Sequence, residues 1–130
     1  NLPMLERLLA RQMDAGIDAV VICGTTGESP TLSDTEKLEL FRHAKQYAGN
    51  ECIIIAGTGS NCTETAIMKS KAAREMGADV LLYGHTHQPL VDYDGTMYTM
   101  NPGAAGDHFR PTCGIITVEN GKATCAIHLL

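Results

Sequence analysis

Apolar and polar positions repeat in a helix-then-strand order three times over the first 84 residues. Amphipathic helical patterns at residues 1–15, 34–48 and 61–76 each precede a short run that is almost wholly apolar: 18–23 (DAVVIC), 52–56 (CIIIA) and 79–83 (DVLLY). Apolar strands that alternate with amphipathic helices are typical of a parallel sheet covered by helices. The pattern therefore predicts an αβαβαβ series.

The predicted helix ends carry recognisable capping residues. Ser33 followed by Glu36 forms the sequence of a capping box, which predicts a helix start at residue 34. Asn61 is expected to cap the third helix, and Gly16 and Gly77 stand where the first and third helices should stop.

A different pattern follows Pro89, where no helix has room to form. Residues 95–100 (GTMYTM) predict a strand, and residues 112–118 and 123–129 predict two more. The last two flank Asn120-Gly121, a strong signal for a type I′ hairpin turn.

The hairpin turn sets the register of its two strands. Glu119 should pair with Lys122, which places Cys113 opposite His128 and disfavours a Cys113–Cys125 disulfide. The register also gives the hairpin one apolar face, formed by Ile116, Val118, Ala123, Cys125 and Ile127.

The fold class predicted from these patterns is α/β, in a single domain over residues 1–130. A parallel three-stranded sheet with helices on one face is followed by a C-terminal antiparallel hairpin that extends or covers the sheet. Right-handed crossovers between neighbouring strands put all three helices on the same side. The bare side then needs the C-terminal segment, or a second copy of the chain in a homo-oligomer or domain swap.

Composition narrows the function classes. The 130 residues are too few for a complete (β/α)₈ barrel, which needs about 250. The net charge is −5 with no Lys/Arg cluster, so no nucleic-acid partner is expected, and no apolar run is long enough for a membrane span. Five scattered cysteines without a C-x-x-C pair are typical of reduced cytoplasmic thiols.

Candidate site residues lie in the loops after the three apolar strands, because sites of parallel sheets form at the carboxyl ends of strands. The second loop, with Gly59, Ser60 and Asn61, precedes a helix N-terminus, where backbone N–H groups attract anions. The third loop carries His85 and His87.

The first two loops resemble those of the dihydrodipicolinate synthase family of pyruvate-dependent class I aldolases. The resemblance covers residues 1 to about 80 and rests on GTTGESPTLS at 24–33 and IAGTGSN at 55–61. It implies that Thr25 and Thr26 match the threonine pair that handles the substrate carboxylate and a proton relay. The family's Schiff-base lysine lies on a later barrel strand, and no strand predicted here carries a lysine in that role.

From about residue 77 onward, the chain resembles the C-terminal part of small calcineurin-like metallophosphoesterases. The resemblance rests on GADVLLYGHTHQP at 77–89, NPGAAGD at 101–107 and the closing hairpin. It implies that His85 and His87 match two ligands of a dimetal site, whose other motifs are absent from this sequence. Their spacing on a strand extension predicts both imidazoles on one side, where a third ligand from Asp107, His108 or a second chain completes a site for one Zn²⁺, Mn²⁺ or Ni²⁺.

The function predicted from the sequence is that of an engineered or recombined hybrid of two fold fragments with a structural role. Residues 1–80 form the half-barrel-like part and residues 81–130 the phosphoesterase-like part, without an intact active site. No cofactor is expected beyond adventitious binding of a divalent metal. The alternatives are a residual metal-dependent phosphodiesterase using His85 and His87, small-anion binding at the strand-end loops, and a remnant pyruvate-dependent lyase.

Overall fold

The computed structural model describes residues 1–59 and 63–130, with the backbone alone for residues 63–66. Ser60, Asn61 and Cys62, including the expected cap of the third helix, lie outside the described residues. The helices are α1 (Leu2–Asp14), α2 (Asp34–Ala48) and α3 (Thr63–Glu75). The strands are β1 (Ala19–Ile22), β2 (Ile53–Gly57), β3 (Val80–Leu82), β4 (Leu90–Tyr93), β5 (Tyr98–Asn101), β6 (Thr112–Glu119) and β7 (Lys122–Leu129).

The capping box at the start of α2 is confirmed. The backbone N–H of Glu36 donates to Ser33 Oγ at 3.3 Å, and the backbone N–H of Ser33 donates to Glu36 Oε2 at 2.8 Å. These reciprocal bonds satisfy donors that a helix start otherwise leaves unpaired. The helix therefore begins at Asp34, directly after the loop that follows β1.

The main sheet has five strands in the order β1-β2-β3-β5-β4, two more than the three strands expected from the sequence. The parallel series continues through β5, whose Tyr98 lies opposite Val80 of β3. The edge strand β4 pairs antiparallel with β5. This reversal is made by Asp94, whose Oδ1 accepts from the backbone N–H groups of Thr96 (2.9 Å) and Met97 (3.0 Å) and closes a tight turn.

The three helices lie on one face of the sheet, as expected. Leu9 of α1 and Phe41 of α2 are almost fully buried in one apolar cluster with Ile54 of β2 and Leu81 of β3. Ala73 of α3 belongs to the same cluster. Alternation along each strand leaves the neighbouring residues for the opposite face.

The C-terminal hairpin covers that opposite face. Buried Ile53, Ile55 and Val80 of the sheet pack with Ile116 and Val118 of β6. Ala123 and Cys125 of β7 join the same cluster. The hairpin of this chain therefore supplies the second layer that the sequence left to either the C-terminal segment or a second copy.

The hairpin register agrees with the sequence prediction. Glu119 pairs with Lys122, Ile116 lies opposite Cys125, and Cys113 lies opposite His128. Cys113 and Cys125 are free thiols, as expected from that pairing.

Close approach between the hairpin and β5 depends on one glycine. A Cβ placed on Gly114 would meet Met100 Sδ at 2.9 Å, closer than real Cβ contacts come.

Val21, at the end of β1 on the same face, stays 49% exposed. The hairpin thus covers the centre of the sheet more completely than its β1 edge.

No helix among the described residues combines the length and apolar character that a membrane span requires.

A charge on the inner face of the hairpin should destabilise the fold. Val118 is half-buried against the sheet, whereas its neighbour Thr117 points to solvent. We expect Val118→Asp to lower the free energy of unfolding by about 2 kcal/mol or more, because an uncompensated carboxylate loses hydration there. Thr117→Asp should change it by less than about 0.5 kcal/mol. Urea unfolding followed by circular dichroism measures both variants. Equal losses of unfolding free energy in the two would contradict the packing of this hairpin face on the sheet.

The turn at Asp94 should make stability depend on acid pH. The Thr96 hydroxyl, the backbone N–H groups of Met97 and Thr96, and the Arg74 guanidinium (3.1 Å) lower the pKa of Asp94 to about 2. This value lies below the pKa of about 3.9 for an unfolded aspartate, so the ionised carboxylate stabilises the fold above about pH 4. That contribution is lost as the pH falls towards 2.

We expect Asp94→Asn to melt at a lower temperature than the unaltered chain at pH 6. The difference should shrink between about pH 4 and pH 2, as the unaltered carboxylate becomes protonated. Asp92→Asn, at an exposed carboxylate on β4, is the control and should leave the pH profile unchanged. A difference between the Asp94→Asn variant and the unaltered chain that stays constant from pH 6 to pH 2 would show that the charge of Asp94 does not contribute.

Candidate functional site

A cleft of about 570 Å³ opens at the carboxyl ends of β1, β2 and β3. The loop after β1 contributes Thr25 and Ser29, the end of β2 contributes Gly57 and Gly59, and the loop after β3 contributes His85. The site thus lies at the edge of the sheet where the sequence predicted it.

The floor of the cleft depends on close contact between the ends of β1 and β2. A Cβ on Gly57 would lie 2.7 Å from the backbone carbonyl oxygen of Cys23, so only glycine fits without a shift of the backbone. Cys23 itself has a φ of 58°, in the left-handed region. These two residues bring the loop after β1 against the end of β2.

The loop after β1 is folded by its own backbone. The N–H of Gly27 donates to the carbonyl of Gly24 at 3.0 Å, and the N–H of Glu28 donates to the carbonyl of Thr25 at 3.1 Å. The two short 3-10 turns, Thr25–Gly27 and Ser29–Thr31, meet at Glu28, whose φ is 52°. Thr25 lines the cleft and Thr26 does not, although both residues are exposed.

The predicted site residues are only partly brought together. Thr25, Gly59 and His85 share the cleft, whereas Thr26 and His87 do not line it. Ser60 and Asn61 lie outside the described residues, so the anion site that they would form with Gly59 stays a prediction.

The two histidines do not lie on a strand extension, and that expectation was wrong. Strand β3 ends at Leu82, and both His85 (φ 76°) and His87 (φ 57°) adopt left-handed backbone conformations. The rule that residues two apart point to one side holds only for an extended backbone. The spacing of the two imidazoles therefore cannot be read from their separation in sequence.

Asp107, one of the suggested third ligands, accepts hydrogen bonds within a turn. Its Oδ1 accepts from the backbone N–H groups of Arg110 (2.9 Å) and Phe109 (2.8 Å). These bonds, with a smaller effect from the charge of His87, lower the pKa of Asp107. Within residues 1–59 and 67–130, whose side chains the structure describes, no three His, Cys, Asp or Glu side chains group as metal ligands would.

Lysines near this edge are held on the helices rather than in the cleft. Lys69 of α3 reaches Asp34 Oδ1 at 3.0 Å, and Lys37 of α2 lies 3.8 Å from the same oxygen. No lysine is among the described residues that line the cleft.

Cys23, the last residue of the apolar run 18–23, forms part of the cleft wall. Burial raises the pKa of its thiol, and the ammonium groups of Lys37 and Lys69 offset this in part. The thiol is therefore the neutral, weakly nucleophilic form near pH 7. The apolar run DAVVIC gave no signal that its last residue would enter the site.

The arrangement of loops agrees with comparisons to known proteins. The model of the Dihydrodipicolinate synthetase family matches residues 1–85. The chain belongs to the dihydrodipicolinate synthetase family. The 4-hydroxy-tetrahydrodipicolinate synthase of Desulforudis audaxviator is 48% identical over 82 residues, which are 63% of this chain and 28% of that protein.

Solved structures support the same relationship. Dihydrodipicolinate synthase from Aquifex aeolicus superposes with a TM-score of 0.63 at 39% identity, covering 65% of this chain and 29% of that one. The 4-hydroxy-tetrahydrodipicolinate synthase from Methylacidiphilum fumariolicum gives 0.63 at 45% identity, covering 65% and 28%. The chain thus spans little more than a quarter of the length of the relatives that it matches.

The family match includes nearly all of the cleft. Every residue of the cleft wall lies within residues 1–85 except Pro102. The C-terminal hairpin, which buries the other face of the sheet, lies wholly outside the matched range. The loops after β1 and β2 therefore lie wholly within the matched range, and the loop after β3 lies in it up to residue 85.

The floor of the cleft can be tested with a pair of glycine variants. Gly57→Ala should lower the free energy of unfolding by about 1–3 kcal/mol, because its Cβ collides with the backbone of Cys23. Gly84→Ala, also in the cleft wall, should change it by less than about 0.5 kcal/mol, since no atom lies within 4 Å of its Cβ position. Chemical denaturation measures the free energy of unfolding of both variants. Equal values would show that β1 and β2 do not approach so closely.

Proposed function

We propose that this chain is a hybrid in which a fragment of the dihydrodipicolinate synthetase family is completed structurally by a C-terminal β segment. The segment, residues 81–130, resembles the C-terminal part of small calcineurin-like metallophosphoesterases. The observation that carries the proposal is the packing of Ile116 and Val118 on Ile53, Ile55 and Val80. A fragment with helices on one face requires a second layer, and the hairpin provides it.

The composition of the cleft supports a structural rather than catalytic role. Imine chemistry with a keto acid needs a desolvated lysine at the reacting carbon. Lys37 and Lys69 instead approach Asp34, outside the cleft wall. Of the two candidate metal ligands, only His85 lines the cleft.

Two assays on the purified chain test this proposal. Borohydride reduction in the presence of pyruvate, followed by mass spectrometry, should leave the lysines unmodified. Hydrolysis of bis(4-nitrophenyl) phosphate with Mn²⁺ should stay at the rate seen without protein. A pyruvate adduct on one lysine would establish a remnant lyase, and hydrolysis abolished by His85→Ala would establish a residual phosphodiesterase.

A second function, binding of a small carboxylate or phosphate in the strand-end cleft, has one observation in its favour. Thr25, Ser29, His85 and Gly59 all line the cleft, and no carboxylate lines it among the described residues. Hydroxyl, imidazole and backbone N–H groups are the donors that an anion requires. Binding of this kind needs neither a lysine nor a metal.

Neighbouring threonines provide a matched test of anion binding. Pyruvate and sulfate titrations followed by NMR should give saturable shifts in the loops after β1 and β3. Thr25→Val should weaken binding by about fivefold, the effect of one lost hydrogen bond of roughly 1 kcal/mol. Thr26→Val should not, because Thr26 lies outside the cleft wall. Equal weakening in both variants, or no saturation, would count against an anion site.

A further inference from the structure

A second cleft, of about 350 Å³, lies at the opposite edge of the sheet, between the strand starts and the tip of the hairpin. Tyr93, Thr96 and Tyr98 line it on the side of β4 and β5. Lys122 and Thr124 of β7 line it on the side of the hairpin, near Asp79 at the start of β3. Its volume is within the range of small-molecule sites.

One wall of this cleft is a preformed aromatic pair. Tyr93 and Tyr98 lie opposite each other in the β4–β5 ladder, and their rings stack with centroids 4.5 Å apart at 28°. The hydroxyl of Tyr93 donates to the carbonyl of Gly95 at 2.9 Å, which fixes the orientation of that ring. Tyr93 is nevertheless 52% exposed, whereas Tyr98 is half-buried against the apolar cluster beneath the hairpin, so the accessible aromatic surface comes mainly from Tyr93.

The acidic groups near the cleft already have partners. Asp79 accepts from Lys45 Nζ at 2.9 and 2.8 Å and from the backbone N–H of Ile54 at 2.9 Å. The Thr96 hydroxyl donates to Asp94 at 2.7 Å, and Asp94 pairs with Arg74. The charge of each carboxylate is therefore compensated within the fold.

The cation at the cleft has no such partner. Lys122 forms no ion pair within 4 Å in the part of the chain that the structure describes, although Glu119 stands opposite it in the hairpin. The Thr124 side chain, exposed beside it, adds a hydroxyl that can donate or accept. The cleft thus combines an aromatic wall with one uncommitted positive charge.

We propose that this cleft binds a small aromatic carboxylate. The ligand ring lies against the Tyr93–Tyr98 pair, where offset or edge-to-face aromatic contacts are favourable. Its carboxylate lies towards Lys122 and Thr124, which supply the ammonium and hydroxyl that a carboxylate accepts from. The site is separate from the strand-end cleft and shares no lining residue with it.

Sodium benzoate is the probe, and the readout is a ¹H–¹⁵N NMR titration of the full chain. We expect saturable shifts at the amides of Thr96, Lys122 and Thr124. Cyclohexanecarboxylate, with the same charge and no aromatic ring, should bind at least about threefold more weakly, since aromatic pairs contribute about 0.5–1.5 kcal/mol. Equal binding of both acids would overturn the aromatic part of the proposal.

Three variants locate the site. Lys122→Gln, on the exposed hairpin, should weaken benzoate binding about fivefold and remove its dependence on salt. Tyr93→Leu should weaken it similarly, and its amide spectrum reports whether the fold is retained. Tyr47→Ala, at an exposed tyrosine on α2, is the control and should bind as the unaltered chain does. Unchanged affinity in Lys122→Gln, or shifts confined to the strand-end loops, would overturn the proposal.

Discussion

The packing of the C-terminal hairpin on the sheet is the interaction on which the rest of this structure depends. The three helices cover one face, and the other face exposes Ile53, Ile55 and Val80 until β6 and β7 lie over it. Apolar burial on this scale is the main favourable term in the folding of a small domain. Without the hairpin, the matched family fragment would present an uncovered apolar sheet to water.

The hairpin packs on the face of the sheet, whereas the candidate site lies at the carboxyl ends of the strands. The strand-end loops, which lie in the matched range up to residue 85, form a cleft with Thr25, Gly59 and His85 in its wall. The hairpin supplies apolar side chains to the opposite face and no residue to that cleft. The chain can therefore retain the shape of a strand-end site without, as we propose, a complete catalytic set.

The elements that could be predicted from the sequence are those specified by nearby residues. Ser33 and Glu36 determine the start of α2 within four positions, and Asn120-Gly121 determines the whole register of the hairpin. The need for a second layer also followed from burial, but the sequence left open whether the C-terminal segment or a second copy of the chain provides it.

What could not be predicted depends on contacts distant in sequence or on backbone conformation. Leu90–Tyr93 has no strand signal of its own and becomes β4 because the turn at Asp94 returns the chain to β5. The left-handed conformations of His85 and His87 are invisible in their spacing, so the metal hypothesis assumed an extended backbone that the loop does not have. The pairing of Tyr93 with Tyr98 likewise required knowledge of β4.

The account is tested most directly by isotope-filtered NMR on a mixture of two differently labelled samples of the chain. We predict nuclear Overhauser effects between the methyl groups of Ile55 or Val80 and those of Ile116 or Val118. These should arise within single chains and be absent from the spectrum that selects contacts between chains. Contacts seen only between chains would show that the hairpin is exchanged between copies. If neither spectrum showed an Overhauser effect between these methyl groups, the central claim would be contradicted.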